Sequence, residues 1–250
     1  LAWGFEIMGD DSVDLSGKIV LVTGATRGIG RAVAIAAAAA GAELIITGRT
    51  VGALQEADDA IRAAGGRSTM VELDMKDTPA IPRLAAAIAR RWERLDGFVA
   101  NAAMLSLLTP VTHLTPEAWD EAVAVNLTGQ WHMIRALDPL LRASPAGRAV
   151  LVTSGAAAGS RPFWGPYAAT KAALEALGRS WAGESEQTNL RINMLNPGGT
   201  ATKMRASAFP GENPDTLPSP EDITPAFLAL LATDCTHHGE LVNARAMLGL

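Results

Sequence analysis

Cysteine and tyrosine each occur once in 250 residues, and no run of one charge or of apolar residues is long. A lone Cys235 excludes an internal disulfide and, with no Cys/His cluster at ligand spacing, points to a cytoplasmic protein without zinc. His237-His238 reads as a polar turn. Basic residues never run beyond the pair Arg90-Arg91, and 26 acidic against 21 basic side chains leave a net charge of −5. Neither a nucleic-acid backbone nor an anionic membrane finds a cationic partner here. The most apolar stretch, Ala32 to Ala40, is about half a bilayer span and stops at Gly41, so no membrane helix is expected. Residues 1–16 carry Trp3, Phe5, Ile7 and Met8, then Asp10, Asp11 and Asp14, with no basic flank. They read as a lead-in segment that packs on a surface rather than as a signal peptide. What remains, 48% apolar overall, suffices for one α/β domain over 17–250.

Ile19-Val20-Leu21-Val22 is continuously apolar and branched, as a strand buried on both faces of a parallel sheet must be. A helix is expected from Arg31 to Ala40. Between them lies Gly24-Ala25-Thr26-Arg27-Gly28-Ile29-Gly30, a glycine-rich strand-to-helix turn whose backbone N–H groups suit a pyrophosphate. Tight strand–helix packing alone would also call for such glycines. Val33 stands where G-x-G-x-x-G would need its third glycine, and no Gly-Lys-Ser/Thr follows, so neither general nucleotide motif is present. The next strand, Leu44 to Thr47, ends at Gly48-Arg49, where an acid would otherwise grip the ribose hydroxyls of NAD. Arg49 with Arg27 could instead bracket a 2′-phosphate, favouring NADP over NAD; both could equally be solvated.

Tyr167 and Lys171 stand four apart on an expected helix, hence on one face, where an ammonium would favour the phenolate. Taken with Thr23-Gly-x-x-x-Gly-x-Gly, this chain resembles the short-chain dehydrogenase/reductase family across roughly Lys18 to Thr202. Ser154 precedes Tyr167 by thirteen positions, the separation that family uses, at the end of the strand Ala149–Val152. No Gly-x-Ser-x-Gly elbow surrounds it, which excludes a hydrolase nucleophile. Asn126, in the apolar run V-A-V-N-L-T-G, matches the asparagine that kinks a helix and holds a relay water; on its own residues it could be a hydrogen-bond hub. Asp74-Met75, after the strand Thr69–Leu73, resembles the adenine-contacting pair, although an aspartate there also suits a turn. Asn101-Ala102, after the strand Phe98–Ala100, resembles the family's Asn-Asn-Ala-Gly with Ala100 and Ala103 departing from it. Pro197, Gly198 and Thr202 match the Pro-Gly-x-x-x-Thr that lies against the nicotinamide, with Thr200 between. The Asp-Gly-Gly common near the C-terminus is missing.

Six strands alternate with helices, from which a Rossmann-like, doubly wound parallel sheet is expected, with ligand at the strand C-termini. Helices are read over Val51–Ala64, Pro79–Arg91, Thr115–Asn126, from Pro166, and over Pro225–Ala232; Glu240–Ala244 is read as an edge strand and Lys203–Pro220 as a loop serving as substrate lid, at about 199–220. Leu174, Leu177 and Trp181 form a stripe for core or subunit interface. The resemblance implies an NADP-dependent oxidoreductase acting on a carbonyl or secondary alcohol, Tyr167 exchanging the proton, Ser154 holding the oxygen, Lys171 lowering the phenol pKa and binding ribose, Asn126 holding a water. Phe163, Trp164, Met204 and Phe209 could line an apolar pocket. It further implies a homodimer or homotetramer, close helix approach being allowed by Ala172, Ala173, Ala176 and Gly178. The rival from another class is a non-catalytic NADP-binding regulator; a longer sugar-nucleotide epimerase is disfavoured because no second domain fits after Thr202.

Overall fold

Runs such as Ile19-Val20-Leu21-Val22 show no polar side to water and have to be covered on both faces. The computed structural model, which describes residues 13–159 and 161–250, covers them in that way. The lead-in reading falls mostly on residues 1–12, outside the described residues; Leu15, just after them, is fully buried, and its N–H donates to the Ala40 carbonyl at 2.8 Å.

Among the described residues seven strands form one sheet: β1 Ile19–Val22, β2 Glu43–Gly48, β3 Arg67–Glu72, β4 Gly97–Ala100, β5 Arg148–Val152, β6 Arg191–Asn196 and β7 Leu241–Asn243. Their order is β3-β2-β1-β4-β5-β6-β7, every neighbouring pair parallel, with β1 registered on β2 through Val20 and Leu44 and on β4 through Val20 and Gly97. The order reverses between β1 and β4, the switch point at whose strand C-termini sheets of this kind take their ligand.

The helices are α1 Gly28–Ala39, α2 Val51–Ala63, α3 Ala80–Trp92, α4 Pro116–Val123, α5 Gly129–Ala143, α6 Gly165–Gly183, α7 Lys203–Ala208, α8 Thr224–Leu231 and α9 Ala244–Leu248. Alternation along each strand sends Val20, Val22, Val150 and Val152 into one core with α1, α2 and α8. Ile19, Leu21, Ala149 and Leu151 go into the other, with α3, α5 and α6. Each fully buried branched side chain contributes about 1.5–3 kcal/mol, so the two cores together hold the sheet between its helices.

Two buried charges close the N-terminal end of the sheet. Asp96, just before β4, accepts from the Ile19 N–H at 3.0 Å, the Ser144 hydroxyl at 2.6 Å and Arg94 Nε at 3.0 Å. Arg148, at the start of β5, donates to the carbonyls of Ala232, Gly147 and Thr233 and so ties the end of α8 to the sheet. Burial lowers its pKa, but the carbonyls keep the guanidinium hydrogen-bonded.

Several expectations change. α1 begins at Gly28, inside the glycine turn, three residues before Arg31. The helix expected to end at Asn126 instead continues: Ala124–Thr128 forms a π turn joining α4 to α5. The stretch Lys203–Pro220 is not all loop, because Thr202 caps α7 by accepting from the Arg205 N–H at 3.2 Å, and a 3-10 turn covers Pro214–Thr216. α9 follows the edge strand directly, capped by Asn243. Gly178 faces the sheet and not a partner subunit: a Cβ there would stand 2.6 Å from Met194 Sδ. Leu174 and Trp181 of the same helix are core, and the Trp181 indole donates to Asp138 at 2.8 Å.

Candidate active site

Along the C-terminal edge the loops follow the strand order, so Asp74 after β3, Arg49 after β2, the glycine turn after β1, Asn101 after β4, Ser154 after β5 and Pro197 after β6 share one rim. The turn and the β4 loop are locked together through Thr23. Its hydroxyl accepts from the N–H groups of Asn101 and Ala102, both at 3.0 Å, and donates to the Val99 carbonyl at 3.3 Å. Asn101 answers with its amide, which donates to the carbonyls of Thr23 at 2.9 Å and Gly24 at 3.1 Å. Gly30 is required by that contact: a Cβ would stand 2.3 Å from the Asn101 amide nitrogen and 2.5 Å from the Gly24 carbonyl. The Asn101 side chain therefore holds the turn's shape, a role the motif alone did not suggest.

The π turn carries Asn126 inward, where it is fully buried. Its Oδ1 accepts from the Met104 N–H at 2.9 Å, and its Nδ2 donates to the Met104 carbonyl at 3.0 Å and to Thr170 Oγ1 at 3.2 Å. Thr170 donates in turn to the Tyr167 carbonyl at 3.0 Å. Asn126 is thus a hub between the β4 loop and α6, and one acceptor site on Oδ1 remains. Gln130, four residues on, donates to the Ala102 carbonyl at 2.6 Å, while its own Oε1 is buried without a partner among the described residues.

Tyr167 and Lys171 do share one face of α6 and are 7% and 2% exposed. The Ser154 hydroxyl hydrogen-bonds the phenol and also accepts from the Ala156 N–H at 3.2 Å. Burial pushes the Tyr167 pKa above its ordinary value, and the bond from Ser154 pulls the other way. Lys171 is not what sets it here. Its ammonium lies 5.9 Å from the ring centroid, donates to the Val152 carbonyl at 2.6 Å, and is itself lowered by burial to about 8. Burial is the larger influence on both groups: it raises the phenol and lowers the ammonium.

Arg27 and Arg49 are exposed, and neither has an ion pair among the described residues; Lys76, paired with Glu121 at 2.9 Å, has its pKa raised by that partner, with Arg49 close enough to oppose the rise. Asp74 takes the turn role, accepting from the Lys76 N–H at 2.9 Å, and Met75 is buried in the core. Thr26 and Ile29 lie half-buried in the glycine turn. After β6, the Gly198 N–H donates to Asn196 at 3.0 Å, and the stem of Arg245 lies across Gly198. Thr200 is buried behind Pro197, and Thr202, whose hydroxyl caps α7, sets its methyl beside Gly28. Above Tyr167 the Trp164 ring meets the phenol edge-on at 5.8 Å and Phe209 at 5.6 Å. Phe163 is half exposed, with φ at 74°, a region that aromatics seldom occupy. Met204 is half-buried nearby in sequence on α7.

A short-chain dehydrogenase family model matches residues 18–213. The chain belongs to the short-chain dehydrogenase family. It is 39% identical over 223 residues to the uncharacterized oxidoreductase YciK of Escherichia coli K12, covering 88% of each chain. It is 34% identical over 204 residues to an uncharacterized NAD-dependent oxidoreductase of Mycobacterium tuberculosis, covering 76% of this chain and 74% of that one. A crystal structure of a short-chain dehydrogenase from Escherichia coli CFT073 complexed with NADPH superposes with a TM-score of 0.90 at 37% identity, covering 94% of this chain and 99% of that one. This short-chain dehydrogenase is an oxidoreductase of the NAD(P)-dependent kind. Motif reading missed Gln130 and Arg245, and it missed the tie that Thr23, itself in the glycine motif, makes to Asn101 and Ala102. Only Gln130 left a signal, its i+4 spacing from Asn126.

Proposed function

We propose that the chain transfers hydride between NADP(H) and a carbonyl or secondary alcohol carbon of a small substrate whose body is apolar. The observation that carries this is the buried Tyr167 phenol, hydrogen-bonded to Ser154 and one helical turn from a buried Lys171, on the rim beside a glycine turn. The residues present fit the coenzyme. The glycine turn takes positive φ at Gly24 and Gly28, and, among the described residues, α1 starts with N–H groups that no side chain caps and the exposed Arg27 and Arg49 have no ion pair where a 2′-phosphate would come. Gly24 to Gly30 would hold the diphosphate, Asp74 and Met75 the adenine, Lys171 the ribose, and Pro197, Gly198, Thr200 and Thr202 the nicotinamide end.

When bound, the coenzyme supplies or accepts the hydride. In reduction Tyr167 donates its phenolic proton to the oxygen of the nascent alkoxide, and Ser154 hydrogen-bonds the same oxygen. A phenol held neutral by burial is in the form that reduction requires. Asn126 offers its remaining Oδ1 site to a relay water. Residues 199–220 we assign as the substrate lid, since Phe209 brings it over Trp164 beside the phenol. One cysteine suits a reducing compartment, and we assign the activity to the cytoplasm. Assembly as a homodimer or homotetramer is part of the same reading, Trp119 and Trp131 on α4 and α5 being large apolar side chains left exposed. The regulator alternative gains no observation, as Ser154, Tyr167, Lys171 and Asn126 are all in place.

Tyr167→Phe tests the assignment. Turnover should fall by about a thousandfold while NADPH affinity stays within twofold. Turnover at the wild-type rate would overturn it.

A further inference from the structure

Two arginines and a glutamate gather around the Trp164 and Phe209 rings, next to the phenol. Arg205 on α7 sets its guanidinium 3.8 Å from the Phe209 ring centroid and pairs with both Glu212 oxygens at 2.5 Å. Arg161, three residues before Trp164, stands 5.7 Å from the Phe209 centroid and 5.8 Å from the Trp164 centroid. Its guanidinium is exposed and adds, after the Arg205 hydrogen bonds, to the lowering of the Glu212 pKa; it has no ion pair or side-chain hydrogen bond among the described residues, and Arg205 takes both carboxylate oxygens. Arg161, Arg205 and Glu212 therefore sum to one uncompensated positive charge, in a chain whose net charge is −5.

A substrate seated on Tyr167 and Ser154 would lie under Trp164 and Phe209, and its far end would meet Arg161. Covering that guanidinium with an apolar group would desolvate it without a partner, which is unfavourable, whereas a carboxylate would gain a charge-assisted and, with arginine, two-point contact. The two rings ask for a flat body to stack on. We infer that this site takes a planar aromatic carbonyl compound bearing an anionic group, its ring against Trp164 and Phe209 and its anion on Arg161. The inference rests on the active-site assignment of Tyr167 and Ser154 and narrows it to a substrate class.

The test separates charge from shape and binding from turnover. The full chain, saturated with NADP so that the coenzyme's own phosphate site is filled, is titrated by calorimetry with 2-naphthoate and with the equally flat, neutral 2-naphthamide. The acid should bind about tenfold more tightly at low salt, and Arg161→Gln should bring the two to parity. Phe209→Leu should weaken both alike. Equal affinities in the wild type, or a preference for the acid that survives Arg161→Gln, would overturn the inference. Assaying an aryl ketone and its carboxylate derivative with NADPH keeps the two readings apart. Charge-selective binding without turnover of either ketone would count against the reductase and leave the anion site standing. Turnover of both ketones without charge selectivity would do the reverse.

Discussion

Asp96 and Arg148 at one end of the sheet, and Tyr167 and Lys171 at the other, are all taken out of water, yet they are treated differently. Asp96 has three donors, and Arg148 is matched to backbone carbonyls. Tyr167 has one hydroxyl, and Lys171, with three protons to donate, has one carbonyl. Nearby, Gln130 Oε1 and Arg245 Nε are buried without partners among the described residues. The lower end is saturated and serves stability. The upper end keeps its protons exchangeable, which costs stability and is what acid–base work requires.

The comparison breaks first at the lower end. Asp96→Ala should cost about 4 kcal/mol in denaturant unfolding, because it strands the Ile19 N–H and the Ser144 hydroxyl, with coenzyme affinity per folded molecule unchanged. A loss under 1 kcal/mol would mean the saturated end is not what holds the sheet. At the upper end the sign is opposite. The folded pKa of Lys171, about 8, lies below its ordinary 10.5, so across that window the unfolded chain binds the extra proton. Wild-type stability relative to Lys171→Met should then rise between pH 8 and 10.5, by about 3 kcal/mol at most, and be level below pH 7. A flat difference would show an ammonium that is not strained by burial. Arg49→Asp should cut the NADPH over NADH preference by about tenfold to thirtyfold in relative kcat/KM, with stability untouched, as an exposed and unpaired cation implies. The smallest effect is a shift in pH. Ser154→Ala removes the bond that opposes the raised phenol pKa, so the rising limb of the oxidation profile should move to higher pH. Movement to lower pH would reverse the role given to Ser154.

What could be read from the chain was whatever depends on near neighbours. The doubly wound order follows from apolar runs alternating with helices, and Tyr167 with Lys171 follows from i, i+4 spacing on one helix. The glycine turn was legible for the same reason, although α1 starting at Gly28 was not, since a helix that begins on glycine has no propensity signal. Contacts across strands left no trace in spacing. Nothing near Lys171 announces that the Val152 carbonyl will accept its hydrogen bond, nothing near Asn101 that its amide faces Thr23 and Gly24, and nothing near Arg245 that its stem crosses Gly198. The Lys203–Pro220 stretch misled because its prolines obscured a six-residue helix whose cap, Thr202, had been assigned to the nicotinamide alone.

The π turn at Ala124–Thr128 also bears on how this chain tolerates changes of length. One surplus residue there lets a single run of helix offer Asn126 to Met104 and Gln130 to Ala102 at once. Deleting any one of the five would let the helix close as an ordinary one with α4 and α5 still in phase, and the outward bulge that carries Asn126 to Met104 would be lost. A frame-preserving loss of one codon in this segment should therefore be as damaging as a substitution at the phenol itself.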